Sequence, residues 1–252
     1  MNAPQRSVLV TGGAAGIGLA IARGLAAQGH RILLADISDT VHAAAEKLST
    51  PQAPVHGHVA DVGEEAQILG VARRVAELFG GCDILVNCAG VSMKRDGKPI
   101  PPTEVRTGDW ERVLRINLTA PFLLSRDLIP GMRERKFGRI INIASRAGRT
   151  FVAPAGADYA SSKAGLIGLT RHLAGTYAPD GITVNCIAPG RIETALSSLS
   201  SPEIIAAAAK AIPVGRLGTT DEVAAAAVFL ASEQAAYITG VCLDVNGGVF
   251  MG

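Results

Sequence analysis

Short apolar runs rich in β-branched residues alternate along this chain with stretches whose apolar positions recur every three or four residues. Ser7-Val8-Leu9-Val10 and Arg31-Ile32-Leu33-Leu34-Ala35-Asp36 read as strands, with a helical pattern from Leu19 to Leu25 between them. A helix is predicted from Val41 to Leu48 and a third strand from Pro54 to Val59. Ile68, Val71, Val75 and Leu78 then mark one buried helical face. Further strands are predicted at 84–87, 139–143, 182–187 and 241–245. Strands that are apolar almost throughout, separated by helices, imply a Rossmann-like, doubly wound parallel α/β sheet of seven strands covered on both faces. No repeat, linker or low-complexity tract interrupts the pattern, so residues 1–252 read as one domain.

Two segments break the rhythm. Residues 92–108 carry Pro99, Pro101 and Pro102 together with Lys94, Arg95, Lys98 and Arg106, and are predicted to form no regular element. Residues 189–213 are Ser-rich and then Ala-rich. Both follow strands, and open parallel sheets bind ligands beyond the carboxyl ends of their strands, so both are expected to wall a substrate pocket.

Composition narrows the function. With 48% hydrophobic and 18% charged residues the chain can fill a large core. A net charge of +2 and 4% aromatic residues argue against a nucleic-acid partner. No apolar run reaches membrane-spanning length, and Met1 to Arg6 contain no apolar leader, so a soluble cytoplasmic protein is expected. Cys82, Cys88, Cys186 and Cys242 are scattered and read as reduced, structural thiols. His56 and His58 share a strand face without companions, so no metal site is predicted.

The candidate chemistry begins at Thr11-Gly12-Gly13-Ala14-Ala15-Gly16-Ile17-Gly18, between the first strand and the first helix. Glycines let the backbone approach a pyrophosphate, and the helix N-terminus offers unpaired N–H groups. Asp36 ends the second strand, where a carboxylate accepts hydrogen bonds from an adenosine ribose and repels a 2′-phosphate; NAD is therefore expected over NADP. Tyr159 and Lys163, four apart on a helix, share a face, and a close ammonium favours tyrosinate. Ser145 lies just past the fifth strand, without a nucleophile elbow or a triad histidine. Asn117 is placed mid-helix, where its propensity is low.

Together these residues resemble the short-chain dehydrogenase/reductase family along nearly the whole chain. The Thr-Gly-x-x-x-Gly-x-Gly turn matches that family's cofactor motif, and Asn117, Ser145, Tyr159 and Lys163 match its catalytic tetrad. Asp61-Val62 resembles its adenine-side pair, and Pro189-Gly190 with Ile192 and Thr194 its nicotinamide segment. The family's Asn-Asn-Ala-Gly appears as Asn87-Cys88-Ala89-Gly90, one amide short. The resemblance implies Tyr159 as acid/base, Lys163 lowering its pKa and holding the nicotinamide ribose, Ser145 steadying the reacting oxygen, and Asn117 anchoring a water. It also implies cofactor contacts from Thr11, Gly12, Gly16, Ile17, Gly18, Asn87, Ala89 and Gly90, a sheet order 3-2-1-4-5-6-7, and a homotetramer.

Substrate identity is less legible. Arg146, Arg149 and Arg191 are the candidate substrate cations. The expected activity is NAD-dependent interconversion of a secondary alcohol and its ketone, with a small polyol or sugar placed first. A 3-oxoacyl thioester stands second, and a nucleotide-sensing protein without catalysis is the reading from another class.

Overall fold

The computed structural model of the chain describes residues 4–193 and 202–252. Seven parallel strands form one sheet: β1 (Ser7–Thr11), β2 (Arg31–Asp36), β3 (Val55–Val59), β4 (Ile84–Asn87), β5 (Gly138–Ile143), β6 (Ile182–Pro189) and β7 (Cys242–Val245). Their order is β3-β2-β1-β4-β5-β6-β7, as the family resemblance implies. Every residue of β1, β4, β5 and β6 is buried, which explains their unbroken apolar runs, whereas the edge strands β3 and β7 are partly open.

Alternation within each strand separates two cores. Val8, Val10, Ile32, Leu34, Val86 and Ile141 face α1 (Gly16–Ala27), α2 (Val41–Leu48) and, near the chain's end, α8 (Thr220–Ala231). Leu9, Leu33, Leu85, Ile140 and Val184 face α3 (Glu65–Phe79), α5 (Ala120–Glu134) and α6 (Ala157–Tyr177). The predicted stripe of α3 is seen, with Ile68, Val71 and Val75 buried, and the helix ends at Gly80 in the left-handed conformation (φ 78°).

Two expectations need correction. The segment 92–108 is not wholly irregular: Lys94–Arg95 pairs antiparallel with Lys98–Pro99, and α4 (Thr107–Leu114) begins inside it. Asp96 and Gly97, at φ 51° and 73°, make the tight turn, so Asp-Gly outweighs the neighbouring prolines. Asn117 does not sit in a regular α-helix. It lies in a π-helical turn, Arg115–Thr119, that joins α4 to α5. Beyond β6, α7 (Pro202–Lys210) fits the Ala-rich pattern, while Thr194 lies outside the described residues.

Candidate active site

The strand order reverses between β1 and β4, and a cavity of about 650 Å³ opens there at the carboxyl ends of the strands. Helix α1 points its N-terminus at this cavity. Its cap, Ala15, offers no side-chain hydrogen bond, and its first turn holds no acidic residue. At α8, by contrast, Thr219 and Glu222 close a capping box, with the Glu222 N–H on Thr219 Oγ1 (3.2 Å) and the Thr219 N–H on Glu222 Oε2 (2.8 Å). The open donors of α1 suit an anion.

The glycine turn is shaped by close approach. A Cβ on Gly18 would stand 2.1 Å from the Gly12 carbonyl oxygen, and one on Gly12 (φ 67°) 2.9 Å from the Ala89 backbone. Gly12, Ile17 and Gly18 line the cavity, as do Ala89 and Gly90 across from them. Gly16 (φ 56°) faces open space. Thr11 works behind this surface: its Oγ1 accepts from the N–H of Cys88 (3.1 Å) and Ala89 (3.2 Å), tying β1 to the end of β4. Asn87 is likewise buried, donating to Asn142 Oδ1 at 2.8 Å. Cys88 keeps the chain path of the missing amide, and burial pushes its thiol up to about 12.

Asp36 sits beside the turn. Its Oδ2 accepts from the Ala14 N–H and its Oδ1 from the Ser38 N–H, each at 3.0 Å, so the carboxylate is locked in place with further lone pairs free. Asp61 is held elsewhere, by Arg112 (2.9 Å) and the Gly63 N–H (2.7 Å). The Arg112 hydrogen bond holds its carboxyl below the usual range. Neither Asp61 nor the buried Val62 lines the cavity.

Ser145, Tyr159 and Lys163 do meet on the cavity wall. The Ser145 hydroxyl accepts from the Ala147 N–H (3.1 Å), which fixes its rotamer as cap of a short 3₁₀ turn. Burial raises the Tyr159 pKa, and the neighbouring Ser145 hydroxyl pulls it partly back. This free form therefore differs from the tyrosinate expectation, since desolvation dominates and Lys163 Nζ, donating to the Ile143 carbonyl at 2.7 Å, sits 5.7 Å from the ring centre. Burial also brings Lys163 down to about 8. Asn117 is fully buried: its Oδ1 accepts from the Val91 N–H (2.8 Å) and its Nδ2 donates to the Val91 carbonyl (2.9 Å) and Ser162 Oγ (3.0 Å). It holds the strand-end loop against α6.

Pro189, Gly190 and Ile192 close the far side, but the three arginines do not reach the cavity. Arg149 turns away to Asp244 (2.8 Å) and the Gly252 carbonyl (2.7 Å), because the short turn after Ser145 carries it to β7. Arg191 is exposed on a separate groove, and Arg146 lies half-buried outside the lining. The cavity instead holds residues that sequence reasoning passed over, Val91, Val152, Pro154 and Ala155, while Ser92 and Lys94, from the segment expected to wall the pocket, do line it. An apolar stretch in a loop beyond a strand, Phe151 to Pro154, was their visible signal.

Comparison with known proteins agrees with this geometry. Residues 12–250 match the family model described as enoyl-(acyl carrier protein) reductase. The chain is 41% identical over 250 residues to nodulation protein G of Rhizobium sp. (strain N33), covering 98% of this chain and 97% of the relative. It is 40% identical to a 3-oxoacyl-[acyl-carrier-protein] reductase of Escherichia coli (strain K12), with each chain wholly covered. A crystal structure of a 3-oxoacyl-[acyl-carrier protein] reductase with bound NAD from Brucella melitensis superposes with a TM-score of 0.91 at 34% identity, over 100% of this chain and 93% of that one. An uncapped helix over a glycine turn, a Ser-Tyr-Lys wall and these full-length matches lead to one assignment: the chain belongs to the short-chain dehydrogenase/reductase family.

Proposed function

We propose that this protein reduces 3-oxoacyl thioesters, the class placed second from sequence. The observation that carries this reading is the apolar lining beside Tyr159, from Val91, Val152, Pro154, Ala155 and Ile192. Such a surface suits an acyl chain and offers a polyol few hydrogen-bond partners. The 92–108 loop offers the cavity little charge: Arg95 pairs with Glu104 at 2.6 Å, and among the described residues of that loop Lys94 is the cation that lines it. The full-length likeness to a reductase acting on 3-oxoacyl carriers supports the same ordering.

The site fits a nicotinamide dinucleotide. The uncapped α1 terminus and glycine turn suit its pyrophosphate, Asp36 its adenosine ribose, and Lys163 and the Pro189-Gly190 segment its nicotinamide end. When bound, it supplies the hydride. The protein's own residues manage the oxygen. Ser145 and Tyr159 converge on one point of the wall, where the 3-oxo group is received. Tyr159, which burial keeps protonated, donates its hydroxyl proton to the oxygen as negative charge develops there. Lys163, charged below about pH 8, stabilises the tyrosinate left behind. Asn117 acts at one remove, by fixing Val91 and Ser162.

NAD(H) is the preferred dinucleotide in this reading. The Asp36 carboxylate, pinned by two backbone N–H groups, cannot swing aside for a 2′-phosphate. The Brucella reductase with bound NAD shows that such a cofactor and such a substrate name go together in a relative. The test is oxidation of NADH and of NADPH with acetoacetyl thioester, against NAD reduction with a polyol panel. Thioester-dependent NADH oxidation is expected; turnover confined to polyols would overturn the proposal.

A further inference from the structure

Cys186 and Cys242 are register partners on adjacent parallel strands, β6 and β7. Partners in a parallel pair point to the same face, and here both join Ala144 and Ile167 in a small cluster beneath α6. Strands lie about 4.8 Å apart, inside the Cα separation that a disulfide spans. The Cys186 thiol is fully buried, whereas Cys242 is half-open and lines a second pocket of about 400 Å³, apart from the cofactor cavity. Arg149 and Arg171 stand on the same pocket.

Arg149 is fixed there. Its Nη1 donates to the Cys242 carbonyl (3.1 Å) and to Asp244 Oδ2 (2.8 Å), and its guanidinium lies over Phe250, 4.8 Å from the ring centre. A half-open sulfur with a partner sulfur and a fixed guanidinium beside it has the makings of a reactive thiol. We propose that Cys242 and Cys186 form a peroxide-sensitive dithiol, in which Cys242 is attacked and Cys186 resolves.

The neighbouring Cys186 thiol draws the Cys242 pKa below its ordinary value; burial opposes it, Arg149 reinforces it and Asp244 works against it. Cys186 is displaced upward, first by the Cys242 sulfur beside it and then by burial. Cys82 and Cys88 are pushed up to about 12 by burial and serve as internal controls. In the first step Cys242 thiolate attacks a peroxide oxygen; the O–O bond breaks, hydroxide leaves and Cys242 becomes a sulfenic acid. In the second, the Cys186 sulfur attacks Cys242, the S–O bond breaks, and the Cys186 proton leaves with the hydroxyl as water. Two electrons pass from the thiol pair to the peroxide, and β7 is stapled to β6.

The test uses the whole protein and needs no activity assay, so it stands or falls apart from the substrate reading. Hydrogen peroxide treatment, alkylation and trypsin digestion separate Cys186, in the peptide ending at Arg191, from Cys242, in the peptide beginning at Leu217. The expected product is the two peptides linked, two hydrogens lighter than their sum, with Cys82 and Cys88 still alkylated. Before oxidation, iodoacetamide at pH 7 should mark Cys242 roughly tenfold or more faster than Cys82 or Cys88. In Cys186→Ala, dimedone should trap Cys242 as its sulfenic acid. Peptides that stay unlinked after peroxide overturn the proposal in the native protein, whatever the variant does. A folded Cys186→Ala protein that gives no dimedone adduct overturns Cys242 as the attacked sulfur.

Discussion

Desolvation raises the Tyr159 pKa above its ordinary value, and Lys163, buried against the Ile143 carbonyl, is brought down to about 8. The two shifts set the pH behaviour of reduction. Below about pH 8 the lysine is charged and the tyrosine protonated, so kcat/KM should be level; as pH rises through 8 the ammonium is lost and the rate should fall. A profile still rising above pH 8 would remove Lys163 from its role. Tyr159→Phe should lower kcat by about 10²–10⁴-fold while NADH binding, followed by fluorescence titration, stays nearly unchanged. Asp36→Ala should weaken NADH and narrow its advantage over NADPH. An unchanged ratio of the two dissociation constants would show that the carboxylate does not read the ribose.

At the scale of elements, the π turn at Arg115–Thr119 places Asn117 where a regular helix would not. Asn117→Ala would leave the Val91 N–H and carbonyl without partners, at a cost of about 1–3 kcal/mol in denaturant unfolding. A change under half that range would mean that Val91 finds other partners. Much of this level was legible beforehand. β2, α2 and β4 fall on their predicted residues because parallel strands with buried interiors and an amphipathic helix write their periods plainly. The glycine turn and Asp36 were readable for the same reason, since backbone approach and strand-end placement leave few alternatives. What stayed hidden depends on side-chain direction. Arg149 follows Ser145 by four residues, yet a single turn sends it away from the cavity. The apolar wall of Val152 and Pro154 comes from an irregular segment with no period to read. The hairpin at Lys94 to Pro99 was signalled by Asp96-Gly97 and masked by prolines around it.

For the whole molecule, the family resemblance carries an expectation of four copies, and we propose that assembly here. Light scattering should give a mass near four times the 25.9 kDa of the chain; a monomer would reject it. None of the described helices is long and apolar enough to cross a membrane. The cavity lies where the sheet changes direction, between β1 and β4, and its two sides come from distant parts of the chain. The glycine cradle belongs to the first ninety residues, and the Ser-Tyr-Lys wall to the stretch after β5. A dinucleotide seated there would act as a clasp between an early and a late portion of one polypeptide. Ligand at a hundred times its dissociation constant adds about 2.7 kcal/mol to the folded form by mass action. A chain cut between the two portions would be held together by that much more in the ligand's presence, on top of the β4–β5 pairing that already joins them.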